Sequence, residues 1–229
     1  MDITSKDSFE HLPSKQDGIL YLFFKRFSDV AISAFALLIL FAFILIIAFI
    51  IICLSRHNPF YKDERIGKDG KKFFVYKFKT MVEDADVHPE KYLNPEQMSQ
   101  WLKERKVDND PRETKFGRIL RKTSIDEIPQ FVNVLIGNMS IVGCRPITEY
   151  EFCKYFTVAE QEIVSLTKPG ITGYWQVYNR SSSSWENGDR KKYIFYYLSH
   201  RSFWLDTKLF LLTIPSCLIY LIKDKRRER

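Results

Sequence analysis

The sequence predicts an α+β protein held at a membrane by one N-terminal helix, with a small α/β domain behind it. Three observations carry this. The 229 residues are 45% hydrophobic and 15% aromatic, which excludes a disordered chain and suits one domain plus a membrane element. Val30 to Leu54 run for 25 positions without charge, Gly or Pro, and Ser33 is the one clearly polar residue among them. The mean hydropathy is nevertheless −0.22, so the rest of the chain is distinctly polar and basic, and there strand-like and helix-like patterns alternate at short spacing.

The elements follow in order. Residues 1–24 read as a polar segment ending in the short apolar run Ile19–Phe24. Residues 25–56 read as a retained membrane helix, because the apolar run is too long for a signal peptide and no small-residue cleavage site follows it. At about 1.5 Å per residue it reaches roughly 37 Å, against a hydrocarbon core of about 30 Å. Lys25 and Arg26 precede it, and Arg56, Lys62 and Arg65 follow. Basic residues mark the cytoplasmic side, so two basic flanks fit a helix that dips in and returns, while length alone fits a simple span.

Residues 57–222 read as the globular domain. After a turn at Gly67–Gly70, Lys72–Met81 alternates apolar residues with lysines, as a strand does. Helical patterns are expected near 82–106, over Ser124–Leu135, as one amphipathic helix over Glu149–Val164, and over Lys191–Ser199 and Asp206–Ile222. A strand-like centre is expected in Asn138–Pro146, an aromatic strand over Tyr174–Tyr178, and a flexible Ser-rich loop over Ser181–Gly188. Residues 223–229 form a basic tail suited to anionic lipid.

The net charge of +7 is accounted for by an anionic membrane surface, so no nucleic-acid partner is expected. The four cysteines include no CxxC pair, which predicts reduced thiols and neither a zinc site nor a disulfide framework. The four histidines cluster with nothing, and no Walker loop, GxGxxG or HExxH is present.

The densest polar constellation runs from Arg121 through Lys122, Ser124, Asp126 and Glu127 to Pro129. Pro suits the first turn of a helix, so a helix should start just before Pro129. Ser124 with Glu127 three residues on reads as a capping box, with Asp126 complementing the helix dipole. The same geometry has a chemical reading. A helix N-terminus attracts phosphate and favours an ionised carboxylate, and an ionised Asp126 can attack phosphorus to form an acyl-phosphate. Arg118, Arg121 and Lys122 supply cations for phosphate oxygens. Adjacent helical residues point about 100° apart, so Asp126 and Glu127 would divide the roles of nucleophile and of metal or proton partner. Arg145, braced in Gly143-Cys144-Arg145-Pro146, suits bidentate phosphate contact or a plain surface position. In Lys168–Arg180 the glycines permit close backbone approach, and Trp175 and Tyr178 read either as base-stacking rings or as core and interface aromatics.

Taken together, KRFSD (Lys25–Asp29), NPFYKDERIGKDGKKFFVYKFKTM (Asn58–Met81), the stretch Asp110–Pro146 around Asp126-Glu127, KPGITGYWQVYNR (Lys168–Arg180) and WLDTKL (Trp204–Leu209) resemble the bacterial sugar transferase family, the monotopic polyprenyl-phosphate phosphoglycosyl transferases, in their minimal catalytic form. The resemblance implies a two-step reaction. Asp126 would attack the β-phosphate of a UDP-sugar, UMP would leave, and polyprenyl (undecaprenyl) phosphate would take the phospho-sugar from the aspartate. It implies Mg²⁺ at Asp126 and Glu127, and phosphate contacts at Arg121, Arg145 and Lys77, to which the reading above adds Arg118. It implies a re-entrant helix and a catalytic domain on the cytoplasmic face of the bacterial inner membrane, in contact with its lipids, starting polysaccharide or glycoconjugate assembly. A homodimer is compatible with it. Where the family carries a mid-helix Ser-Pro this chain has Phe41-Ala42, and Lys79, Cys144 and Asn179 replace the usual Arg, Pro and Gly. Two alternatives are a non-enzymatic anchored domain that binds anionic lipid or a protein partner, and an enzyme that transfers the phospho-sugar in one step.

Overall fold

The computed structural model describes residues 17–104, 107, 109–179, 185 and 189–227. The polar segment 1–16, Arg180 and all of the Ser-rich loop but Trp185 lie outside the described residues, as do the side chains of the basic tail.

The first helix, α1 (Ile19–Ser55), is 37 residues long and starts ahead of Lys25, directly after Gly18. It passes through Phe41-Ala42 without interruption. With no Gly or Pro inside, nothing breaks its i→i−4 ladder, and in an apolar medium every backbone group is best satisfied within the helix. Most of its apolar side chains are exposed, among them Phe35 (65%), Leu38 (77%) and Phe49 (66%), as expected of a surface made for lipid.

Both ends of α1 are gripped by the domain. At the N-terminal end the Lys25 ammonium donates to Val142 O (2.9 Å) and pairs with Asp206 (2.7 Å). The Arg26 guanidinium donates to Val134 O and Leu135 O at 2.7 and 2.8 Å, satisfying carbonyls at a helix end that have no intrahelical partner. The buried Asp29 carboxylate accepts from Ser140 Oγ and Ile141 N. At the other end Ile47, Ala48 and Ile51 are buried against Phe78 and Leu120. The basic pair read as a cytoplasmic flank is therefore also tied into the protein.

A hairpin follows: β1 (Phe60–Ile66) and β2 (Lys72–Phe78) pair antiparallel from Phe60↔Phe78 to Ile66↔Lys72. Then come α2 (Pro95–Glu104), α3 (Lys115–Thr123), α4 (Gln130–Ile136), β3 (Ser140–Val142), α5 (Glu149–Tyr155), α6 (Val158–Ser165), β4 (Gly170–Thr172), α7 (Tyr174–Tyr178), α8 (Asp189–His200) and α9 (Phe203–Arg227). Strands β3 and β4 pair in parallel. The main core gathers Val75, Val134, Met139, Ile141, Leu198 and Leu209 from five elements and the loop before β3. Asn133, fully buried, stands in for a third strand beside β2: its carboxamide accepts from Tyr76 N (2.9 Å) and donates to Phe74 O (2.6 Å). α9 leaves Trp204, Leu211 and Ile214 exposed, and among the described helices it and α1 are long and apolar enough to cross a membrane.

Three expectations are corrected. The amphipathic run Glu149–Val164 is two helices, because Thr148 with Glu151 and Thr157 with Glu160 each form a capping box and the second starts a new helix. Tyr174–Tyr178 is helical, not a strand: the rings of Tyr174 and Tyr178 meet at 4.6 Å, one helical turn apart, and Tyr174 also packs on Tyr196 of α8 at 4.5 Å. The capping box at Ser124 does not form, for the reason given next.

Candidate active site

Asp126 and Glu127 sit on a corner. Ser124 ends α3 in the left-handed region (φ 59, ψ 17), a conformation that costs an L-residue roughly 1–2 kcal/mol, and its side chain makes no cap to the turn that follows. A 3₁₀ turn, Ile125–Glu127, leads through Ile128 and Pro129 into α4. Ile125 and Ile128 pack on the apolar cluster that joins Ile47, Ala48 and Ile51 of α1 to Phe78 and Leu120. The two acidic residues are thus held between apolar anchors seated on that cluster. The Glu127 carboxylate meets Arg145 Nη1 at 3.3 Å.

Arg145 is fixed by glycines. A Cβ on Gly170 would lie 2.1 Å from Gly143 N, and one on Gly173 2.0 Å from Gly143 O. The loops Gly143–Pro146 and Lys168–Gly173 therefore close on each other as no larger residues allow. This sets the Arg145 guanidinium 5.8 Å from the Trp175 ring, with Arg190 4.9 Å from the same ring. Trp175 is engaged by guanidinium groups rather than presented as an open stacking platform, and Tyr178 packs on Tyr174.

Lys77 Nζ pairs with Asp63 at 2.9 Å. Asp63 also holds Arg65, which lies 3.7 Å from Glu151. Glu151 accepts from Trp185 Nε1 (2.8 Å) and pairs with Arg190 (3.3 Å). This chain of alternating charges ties the hairpin, α5 and α8 around Arg145. On the far side, Glu113 holds Arg121 Nη1 at 2.7 Å and Arg118 Nε at 3.6 Å, and Arg121 Nε donates to Thr80 Oγ1. The structure therefore gathers Asp126, Glu127, Arg145 and Lys77, with Arg121 close enough to act on Asp126 electrostatically, while Arg118 lies at the outer, half-exposed edge.

The electrostatics are unequal. Burial, and then the neighbouring Glu127, push the Asp126 carboxyl up to about 6, against the pull of Lys77, Arg121 and Arg145. It is ionised at neutral pH and more basic than an ordinary aspartate, as a carboxylate nucleophile should be. Burial pulls the Lys77 ammonium down, with Asp63 opposing. For Asp63, burial alone would raise the carboxyl, but Lys77 and Arg65 outweigh it and hold it below the usual range; for Glu151, Arg190 and the Thr148 backbone do the same.

Those two depressed carboxyls set a pH limit. A carboxyl held low in the folded chain contributes stability that is present above its unfolded value, near 4, and is lost as pH falls through the folded value. Thermal unfolding in detergent is expected to show the wild-type midpoint dropping below about pH 4. Asp63→Asn should start lower at neutral pH and drop less; parallel curves would contradict the pairing.

Sequence reasoning missed Asp63, Arg65, Glu113, Glu151 and Arg190. The stretches that carry the first three stood out, but no spacing rule joins residues as far apart as Arg65 and Glu151. Among the described residues no group of three or more His, Cys, Asp or Glu gathers into a ready metal cage. Two adjacent carboxylates nevertheless fit Mg²⁺, which keeps several waters and takes other ligands from substrate phosphates.

A buried carboxylate faced by Lys77, Arg121 and Arg145, close to a long apolar helix, defines a site suited to phosphate chemistry. The comparisons agree. The family model described as "Bacterial sugar transferase" matches residues 20–219, and the chain belongs to that family. It is 36% identical over 194 residues to the exopolysaccharide production protein ExoY of Rhizobium meliloti, covering 84% of each chain. It is 39% identical over 158 residues to the UDP-galactose-lipid carrier transferase of Erwinia amylovora, covering 68% of this chain and 32% of that one. It is 39% identical over 155 residues to the undecaprenyl-phosphate galactose phosphotransferase of Salmonella typhimurium, with shares of 67% and 32%. The chain thus spans about a third of the length of the last two relatives and most of the first.

Proposed function

We propose that the chain is a phosphoglycosyl transferase that moves a sugar-1-phosphate from a UDP-sugar to polyprenyl phosphate at the inner face of the bacterial cytoplasmic membrane. The observation that carries the reading is the buried Asp126, raised towards neutrality and faced by Lys77, Arg121 and Arg145, in a family whose relatives bear the names of lipid-carrier sugar transferases. The Asp126 carboxylate attacks the β-phosphorus, the bond from that phosphorus to the bridging oxygen breaks, and UMP leaves with the electron pair. A phosphate oxygen of the polyprenyl phosphate then attacks the same phosphorus and frees the carboxylate. Arg145 and Arg121 bind the phosphoryl oxygens, and Lys77, positioned by Asp63, adds positive charge. Glu127 holds Arg145 in place. Asp126 and Glu127 are the residues that would hold Mg²⁺, whose chemistry there is to neutralise diphosphate charge. The test is UMP release across a panel of UDP-sugars with polyprenyl phosphate and Mg²⁺ present. Release with one of them supports the reading, and none with any donor overturns it in favour of a lipid-binding anchor domain.

That both ends of α1 lie on one face of the membrane belongs to the same proposal, although the unbroken helix lacks the mid-helix break that a sharply re-entrant path requires. From Asp29 to Ile47 a straight helix covers roughly 27 Å, close to the hydrocarbon thickness. One domain on one face of the bilayer cannot grip both points of a crossing helix, yet both are buried against this domain. In a background with the exposed Cys53 and Cys153 replaced by Ser, Gly18→Cys and Lys62→Cys should both resist a membrane-impermeant thiol reagent in intact cells and both react after permeabilisation. Reaction of the Gly18 site alone from outside would establish a simple span.

A further inference from the structure

Next to Arg145 lies a narrow recess lined by Gly143, Arg145, Trp175, Gln176, Arg190 and Tyr193, with room for about one oxygen-sized atom. Three buried side-chain atoms among its lining residues have no hydrogen-bond partner: Trp175 Nε1, Gln176 Nε2 and Arg190 Nε. Gln176 and Arg190 are each 8% exposed. Leaving one such group unsatisfied costs on the order of 1–3 kcal/mol, so three at one place mark a ligand's position. All three are donors. A single water accepts two hydrogen bonds at most, so one cannot satisfy them, whereas the oxygens of an anion can.

The surroundings select the anion further. The Arg145 and Arg190 guanidinium groups flank the recess on the Trp175 ring, and Arg145 joins it to Glu127 and so to Asp126. The space admits a single oxygen of a larger group rather than a whole phosphate or nucleotide. We infer that Trp175, Gln176 and Arg190 form, with Arg145, an oxyanion recess that receives one oxygen of a phosphate group bound beside Asp126. Two substrates of the proposed reaction offer that chemistry: the nucleotide phosphate that leaves, and the headgroup of the polyprenyl phosphate. The assignment rests on the proposed function for the identity of these ligands, but the recess itself is tested by binding alone.

The experiment is calorimetric binding to the full chain in detergent, with UMP, uridine and a water-soluble short-chain polyprenyl phosphate as separate probes. The variants are Trp175→Phe, which keeps the ring for the guanidinium groups and removes the N–H, and Gln176→Met, which keeps the length and removes the amide. Each is expected to weaken a phosphate probe by about tenfold, the order for a hydrogen bond to a charged acceptor. Uridine affinity should not move. Loss confined to UMP places the nucleotide phosphate in the recess, and loss confined to the lipid probe places the headgroup there. Unchanged affinity for both phosphates, in variants whose melting matches wild type, would overturn the inference. UMP release by the same wild-type preparation keeps the two ideas apart: a chain that binds phosphate through these donors but turns over no UDP-sugar retains the recess and loses the proposed donor.

Discussion

Asp126→Asn is expected to abolish UMP release, by about 10⁴-fold or more, as loss of a covalent nucleophile does. Asn fills the same space on the corner after Ser124 and keeps a carbonyl oxygen for local hydrogen bonds, but lacks the anionic oxygen that attacks phosphorus. Stability separates this from a structural role. The folded chain raises the Asp126 carboxyl to about 6, through burial first and Glu127 second. Above that pH the ionised group therefore opposes folding, and removing its charge should leave the melting temperature equal or higher when measured in chelator. A variant that melts well below wild type, or that releases UMP at a normal rate, would contradict the assignment. Glu127→Gln gives the contrast: turnover falls because Arg145 loses its partner at 3.3 Å, while the nucleophile remains.

Arg145→Ala is expected to slow turnover roughly 30- to 1000-fold, equivalent to about 2–4 kcal/mol of transition-state stabilisation. The argument is positional. The glycine-locked loops leave Arg145 little freedom, and it lies between Glu127 and the Trp175 ring with its side chain one-third exposed, so the guanidinium can meet phosphate without first being ordered. Arg145→Lys retains the charge without the bidentate fork and should recover only part of the rate. Near-normal UMP release from a well-folded Arg145→Ala would assign Arg145 to structure alone.

Legibility in the sequence followed the range of the interactions. The membrane helix was plain from its uncharged run, and β2 from the alternation of apolar residues with lysines. α4 was legible from Pro129 in the Arg121–Gln130 constellation, where Asp126 and Glu127 stood out as a pair, while α3 was read only as a short basic segment. β1 was missed because FYKDERI carries four charges in seven residues, and only the fold shows that Asp63 and Arg65 turn into a buried network. The aromatic run after Gly173 has strand propensity, which the Tyr174 contacts with α8 override. Lys25 and Arg26 were read as marking the cytoplasmic side of the helix, and the fold adds that they also bind the domain. Their partners lie more than a hundred residues along the chain. The capping box at Ser124 satisfied every local rule and lost to one long-range ion pair, Glu127 with Arg145.

The central claim is that Asp126 carries the phospho-sugar between donor and lipid. The direct measurement is to mix wild-type protein with a labelled UDP-sugar and Mg²⁺ in the absence of polyprenyl phosphate, quench, and locate the label by peptide mass spectrometry. The account predicts UMP release in one burst, equal to the amount of active protein, with the sugar-phosphate mass on the peptide containing Asp126 and discharged when polyprenyl phosphate is added. Turnover that requires the lipid from the start, with no label on protein at any time, would contradict it and establish direct transfer.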